Sequence, residues 1–442
     1  MTGLEPVLKA ATKLVIPSAD EEKRITGLAE FLLARTREAA GKHPEVRGVV
    51  MGGSFAKGTW LPTNVDIDVF VLIDPATPEK DFERIGLAVG TEAAKGFPRG
   101  KKYAQHPYVE ATVRGVKVNV VPCYNVEPPN WKSAADRSPF HVKLVEGLSH
   151  ERKTEVRLLK RFMRGVGVYG AEIEVQGFSG YAAEVLVIRH GNFEGVLSYF
   201  AELKRTSEDM LFVLPDPVDE DRDLGKAISD ESVGRLVLAS RAFLRKPSLD
   251  FFGEVLGRSR PKMRKEVIGL VFAHSRLSED TLWGELRRTL KHITRAVEER
   301  DFKIIRAMAA SDNSSHSAFL FLPEFSMLPP LAQHLGPTVE REKEAASFLA
   351  KNRRKAELVW VDDTARLRVL QSRSHTDLVK LLEEISKGRL GKFGASREVG
   401  LGMARSARVL RGGALARQAS SKAWLERVVL EIASDSFGTS ES

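Results

Sequence analysis

The stretch GGSFAKGTWLPTNVDIDVF, residues 52–70, decides how the chain is read. VRGVVMGG (46–53) is a strand breaking into glycine, and VDIDVFVLI (65–73) is a second strand. Between them Gly52, Gly53 and Ser54 open a helical turn, so backbone N–H groups and the Ser54 hydroxyl can cradle a phosphate. Asp66 and Asp68 stand two apart on the second strand. Side chains at i and i+2 share a face, so both carboxylates can grip a hard cation such as Mg²⁺. Glycine turns and Asp-x-Asp pairs are each common alone. A phosphate loop followed by two acids in an otherwise apolar strand is the pattern of a nucleotidyl-transfer site.

Working outward, IPSADEE places Ser18 as a helix N-cap with Glu21 three residues on, and a helix runs to about residue 40. Residues 78–95 read as a helix, and VEATVRGVKVNVVPCY (109–124) as two strands joined near Arg114-Gly115 and ended by Pro122. These elements give a small mixed sheet backed by helices. The turn-rich EPPNWKSAADRSPFH (127–141) marks a crossing into a new domain. Helical period covers 150–165 and 179–206, and LPDPVDEDRD (214–223) reads as an acidic loop before further helices to about 246. Beyond 262 come a strand in EVIGLVFAH, a long amphipathic helix, and strands near 318–322 and 357–370, followed from 375 by a mainly helical, basic tail.

With 442 residues the chain is long enough for several domains, and 43% hydrophobic against 29% charged residues excludes wholesale disorder. A single cysteine, Cys123, excludes a disulfide framework and a cysteine-based zinc cluster, and fits a reducing cytosol. The first residues lack a secretory pattern and no run of about 18 apolar residues occurs. A cytoplasmic protein with no membrane partner is expected. Of the +9 formal charge, residues 351–442 carry +7, with 18 Lys+Arg against 11 Asp+Glu. Arg397, Arg405, Arg408 and Arg411 lie in this basic stripe among small residues, as a phosphate backbone would require. A solvated helical face has the same composition.

The order of blocks goes further. GGSFAKGTWLPTNVDIDVF, AQHPYVEATVRGVKVNVVPCY, SAADRSPFH, EVRLLKRFM, YGAEIEVQGFSGYAAEVL and DPVDEDR follow one another between residues 52 and 222, within a likeness that runs from about residue 5 to 260. In this series the chain resembles the archaeal (class I) CCA-adding enzymes, tRNA nucleotidyltransferases of the superfamily that includes DNA polymerase β. The resemblance implies an α+β multidomain fold: a polymerase β-like catalytic head (1–145), a helical neck (146–255), an α+β body (256–374) and a basic, mainly helical, tRNA-binding tail (375–442). It implies template-independent addition of C, C and A to the tRNA 3′ end from CTP and ATP, with release of pyrophosphate and Mg²⁺ as cofactor. The acceptor stem and elbow of tRNA would be the partner surface, with a homodimer left open.

By resemblance, Gly53, Ser54 and Lys57 belong to the phosphate-binding loop and Asp66 and Asp68 to the metal pair. Ser138, His141, Lys160 and Tyr169 match further triphosphate ligands, and Arg222 the arginine that reads the incoming base. His106 lies in the motif beside the catalytic strand. The departure is at VKVNVVPCY, where Asn119 stands in the place of the family's third carboxylate. An amide offers a neutral oxygen and cannot act as an anionic ligand. Three accounts stay open: an engineered inactivation, a natural variant working with weaker metal binding, and a paralogue that binds tRNA without extending it.

Overall fold

A computed structural model describes residues 3–62, 65–204, 212–253, 266–388 and 397–433. They divide into two compact units, one ending at 253 and one spanning 266–433.

The first unit opens with α1 (Leu4–Val15) and α2 (Ala19–Ala40). Ser18 caps α2, its Oγ accepting from the Glu21 N–H at 3.2 Å, with Asp20, Glu21 and Glu22 at the positive helix end. Then come β1 (Val46–Gly52), the short α3 (Gly53–Lys57), β2 (Asp66–Ile73), α4 (Glu79–Ala93), β3 (Arg99–Tyr103), β4 (Pro107–Val113) and β5 (Val116–Tyr124). The five strands form one sheet in the order β1-β2-β5-β4-β3, with β2 and β5 parallel and the other pairs antiparallel. Period-2 alternation sorts β2 cleanly. Ile67, Val69, Val71 and Ile73 are buried against Ile25, Leu28 and Leu32 of α2 and Phe82, Ile85 and Val89 of α4. Asp66 and Asp68 therefore point to the opposite face. Each buried aliphatic or aromatic side chain contributes about 1.5–3 kcal/mol, so truncating one such as Phe82 would loosen the sheet that aligns the acids.

The helical part of this unit holds α5 (Ser138–Glu146), α6 (His150–Val166), α7 (Gly180–His190), α8 (Phe193–Glu202) and α9 (Asp230–Arg245). Its core is a phenylalanine cluster in which Phe162, Phe193, Phe243 and Phe252 pack with ring centroids 5.4–5.8 Å apart.

Three local expectations change in this unit, and one strand was not expected. The helix expected over 179–206 is two helices, because Gly191 takes φ +88° and Asn192 caps the second one by accepting from the Gly195 N–H at 2.7 Å; residues 205–206 lie outside the described residues. The acidic loop at 214–223 is a hairpin of β6 (Pro215–Asp216) and β7 (Asp219–Asp223). Pro122 does not end its strand. It lies past the last β4 pair, Val109–Val120, on a stretch of β5 laddered with β2, and Gly86 of α4 packs so closely on its ring that a Cβ there would come within 2.6 Å. The edge strand β3, rich in lysine and arginine, has too little apolar alternation to be read from sequence.

The second unit contains β8 (Ile268–Ala273), α10 (Glu279–Glu298), β9 (Ile304–Ser311), β10 (His316–Pro323), β11 (Leu331–Thr338), α11 (Glu342–Asn352), β12 (Ala356–Val361) and β13 (Arg366–Ser372). It continues with α12 (Leu378–Lys387), α13 (Arg397–Ser406), β14 (Arg408–Arg411), α14 (Gly412–Ser420) and α15 (Ala423–Glu431). The strand read at 357–370 is the β12–β13 hairpin, turned at Asp362, whose Oδ1 accepts from the Thr364 and Arg366 N–H groups. The basic tail is not purely helical. Its strand β14 pairs with β8 at the edge of the sheet β14-β8-β10-β9.

Candidate active site

Strand β1 delivers the chain to Gly52-Gly53, and only glycine fits the second position. Gly53 has φ +64°, and a Cβ there would lie 1.9 Å from Asp68 Oδ2. The loop backbone is thereby pressed against the acid that follows on β2. Ser54 and Lys57 lie in α3, with Lys57 buried.

Across the sheet the polar residues fall into register. Asp68 is paired with Asn119 of β5, and Asn119 with Glu110 of β4. One row further, Asp66 is paired with Lys117 and Lys117 with Thr112. Asn119 Nδ2 donates to Asp68 Oδ1 at 2.8 Å, while its buried Oδ1 has no hydrogen-bond partner. Lys117 Nζ lies 3.9 Å from Asp66 Oδ2 and 3.4 Å from Glu110 Oε2. Burial pushes the Asp68 carboxyl up, against the Asn119 hydrogen bond and the more distant Lys117 and Lys57 charges. Asp66 is also raised, by burial first and then by Asp68 and Glu110, with Lys117 opposing. A half-buried carboxylate without an ion-pair partner among the described residues and an orphaned amide oxygen beside it are hard donors, and they fit a divalent metal.

Behind this face the charges are paired. Glu184 of α7 is almost wholly enclosed, and Lys57 Nζ donates to its Oε2 and Lys160 Nζ to its Oε1, both at 2.8 Å. Thr59 Oγ1 adds a bond of 2.6 Å to Oε1. Burial would raise Glu184, but the two ammonium groups reverse the sign and hold it well below the usual carboxylate range. Lys160 is 1% exposed and its remaining contacts are the Thr59 hydroxyl at 2.9 Å and the Thr59 carbonyl at 3.3 Å. Its three donors are thus all engaged inside the protein. Tyr169 neighbours this knot, since a Cβ on Gly180 would lie 3.1 Å from its Oη and 3.5 Å from Lys160 Nζ.

A third cluster joins it through Tyr181, whose ring lies 4.8 Å from Lys57 Nζ and stacks on His141 at 3.7 Å. Asp216 gathers the rest. Tyr181 Oη donates to its Oδ1 at 2.8 Å, and Arg222 Nη1 to its Oδ2 at 3.2 Å, with His141 Nε2 3.3 Å from the same oxygen. Burial would push Asp216 up; the His141 ring, the Val218 N–H and Tyr181 outweigh it and hold the carboxyl at about 2. Burial also lowers His141, with Lys57 and Arg222 adding to the effect against the pull of Asp216. Arg222 keeps 42% of its side chain exposed and faces a cleft of about 450 Å³ lined also by Trp131, Arg137, Asp219 and Lys226.

Of the residues singled out from sequence, Gly53, Asp66, Asp68 and Asn119 meet at one place, and Lys57, His141 and Arg222 are linked around Tyr181 and Asp216. Ser138 begins α5 and is half-buried. His106 lies away from this row, 3.3 Å from Glu83 and 3.7 Å from Glu79 on α4. Arg397, Arg405, Arg408 and Arg411 are exposed in the second unit, the last two on β14. Sequence reasoning missed Glu184, Tyr181, Asp216 and Glu110. Only Glu184 gave a signal, as a lone charge within an apolar helical run.

Residues 33–141 match the model of a nucleotidyltransferase domain, 154–253 that of a tRNA nucleotidyltransferase second domain, and 264–399 that of the CCA-adding enzyme C-terminal domain. The chain is 38% identical over 355 residues to a CCA-adding enzyme of Pyrobaculum neutrophilum, covering 77% of this chain and 83% of that one. It is 35% identical over 395 residues to that of Pyrobaculum aerophilum, covering 86% and 92%. A third similar protein, the CCA-adding enzyme of Archaeoglobus fulgidus, is 34% identical over 371 residues, covering 79% and 83%.

Proposed function

The chain belongs to the CCA-adding enzymes, and from that premise we propose which of its residues carry the reaction. It adds C, C and A to the 3′ end of tRNA from CTP and ATP. In each step the tRNA 3′-hydroxyl oxygen bonds to the α-phosphorus, the bond to the pyrophosphate oxygen breaks, and the hydroxyl proton is lost. Asp66 and Asp68 would hold the divalent metal, read here as Mg²⁺. When bound it neutralises the triphosphate and polarises the reacting phosphoryl group.

The chain's own groups supply position. Gly53 and Ser54 present N–H and hydroxyl donors toward a phosphate placed beside Asp68. Ser138, His141, Lys57 and Tyr169 are assigned to the triphosphate. Lys160, with every donor engaged, is read as a positioning residue that fixes Lys57 through Glu184. Arg222 retains donors toward the cleft and can meet a base edge without a template. Arg397, Arg405, Arg408 and Arg411 are assigned to the tRNA acceptor stem and elbow, where phosphate neutralisation drives binding.

The observation that carries this reading is the half-buried Asp68 carboxylate, pressed on the Gly53 loop and lacking an ion-pair partner among the described residues. The test is sequential incorporation of labelled CMP and AMP into tRNA lacking its CCA, with Mg²⁺. Two C and one A are expected. A second reading, tRNA binding without extension, is favoured only by Asn119, which removes an anionic ligand; tight tRNA binding with no incorporation under Mg²⁺ or Mn²⁺ would select it.

A further inference from the structure

In a two-metal transfer the attacking and leaving in-line oxygens are clamped by metal ions, and several anionic ligands hold those ions. Asp66 and Asp68 supply two carboxylates, and Asn119 contributes none. The next acid on the same face of the sheet is Glu110. It occupies the position directly across from Asn119, which is itself directly across from Asp68, so the three form one row over β2, β5 and β4.

The geometry points to Glu110 as the third carboxylate of the metal site, reaching over the amide of Asn119. The assignment rests on the reading of Asp66 and Asp68 as metal ligands. Two strand spacings of about 4.8 Å put the Asp68 and Glu110 backbones roughly 10 Å apart. Two carboxylate side chains and metal–oxygen bonds of about 2.1 Å span that gap, and the extra methylene of glutamate makes up the added strand. Glu110 is only partly exposed, with 26% of its side chain in solvent. It already shares a cationic centre with the site: Lys117 Nζ stands between Glu110 Oε2 and Asp66 Oδ2, at 3.4 and 3.9 Å. Lys102 Nζ lies 3.6 Å from the other Glu110 oxygen, on the side away from β5. The orphaned Asn119 Oδ1 between the two acids is a neutral oxygen free to complete the set. Lys117 then competes with a metal for the same carboxylates.

The test is Mn²⁺ titration of the full chain, read from the free-ion electron paramagnetic resonance signal. Glu110→Gln is expected to weaken Mn²⁺ binding about tenfold or more. Glu110→Asp should weaken it similarly, because the charge stays but the reach is lost, and Glu110→Gln with Asn119→Asp should restore it. Lys117→Met should tighten binding, and Glu110→Gln added to Lys117→Met should still weaken it; were Glu110 merely the counter-ion that keeps Lys117 from Asp66, Glu110→Gln would change nothing in that background. Wild-type affinity in both Glu110 variants, alongside lost binding in Asp68→Asn, overturns the role of Glu110 and leaves the two-aspartate reading standing. Wild-type affinity in Asp68→Asn overturns that reading as well. Melting temperatures within a few degrees of wild type establish that each variant is folded.

Discussion

Asp68 is a half-buried carboxylate of the first unit and Glu184 a fully buried one, yet their carboxyl groups are shifted in opposite directions. Glu184 sits between Lys57 and Lys160 and is held low; Asp68 has an amide as its hydrogen-bond partner and is held high. The first is a finished ion network that ties α3 to α6 and α7. The second is an electrostatic deficit that an added cation removes. The difference separates framework from chemistry without reference to any bound ligand: compensated charge builds the site, and uncompensated charge awaits its substrate complex.

The largest expected stability effect lies on the framework side. Glu184→Gln leaves two ammonium groups facing a neutral amide in the interior, and a loss of about 3–5 kcal/mol is expected in denaturant unfolding. Asp68→Asn should be neutral or stabilising by the same measurement, in the presence of EDTA. Equal losses in both variants would dissolve the contrast.

Divalent metal sharpens it next. Saturating Mg²⁺ or Mn²⁺ at a hundred times its Kd should raise stability by about 2.7 kcal/mol over EDTA. That increment should vanish in Asp68→Asn and persist in Glu184→Gln, as read from paired thermal melts.

Acid titration gives a smaller signal of opposite sign at the two residues. Glu184 is lowered from an ordinary value of 4.5, so the unfolded chain binds the extra proton, and its contribution, complete above 4.5, is lost as pH falls. Asp68 is raised from 3.8, so the folded chain binds the extra proton, and stability is lost as pH rises from 3.8 through its raised value. In EDTA, Glu184→Gln should flatten the acid limb of the stability profile and Asp68→Asn should lessen the decline above pH 3.8, to which the raised Asp66 also contributes. Unaltered profiles in both would count against the assigned environments.

The smallest effect belongs to the second unit, whose arginines are exposed and contribute little to folding. Replacing Arg405, Arg408 and Arg411 together by Ala should reduce the slope of log Kd for tRNA against log salt by up to about three units. An unchanged slope would move the tRNA contact elsewhere.

Much of the proposed catalytic face was legible in the sequence because its signals are local. The glycine turn, the two acids at i and i+2, and the strand periods of residues 46–52 and 66–73 all lie within a few residues of one another. The departure at Asn119 was legible through the motif around it. The charge network was not: Lys57 and Glu184 are paired across 127 positions, and nothing in either neighbourhood states the partner. Register hid Glu110 in the same way, since its place beside Asn119 depends on how the Arg114-Gly115 turn closes the β4–β5 hairpin. Strand β14 was missed because four residues rich in arginine show no alternation until β8 pairs with them.

Asp68 is proposed as the carboxylate that serves chemistry rather than structure. Single-turnover transfer of labelled CMP to tRNA lacking its CCA, by wild type and Asp68→Asn at matched Mg²⁺, tests this directly. Wild type should extend the tRNA, while Asp68→Asn should lose extension by a thousandfold or more, on the order of 4 kcal/mol, with tRNA affinity unchanged and a melting temperature in EDTA no lower than that of wild type. Extension by Asp68→Asn at the wild-type rate would contradict it.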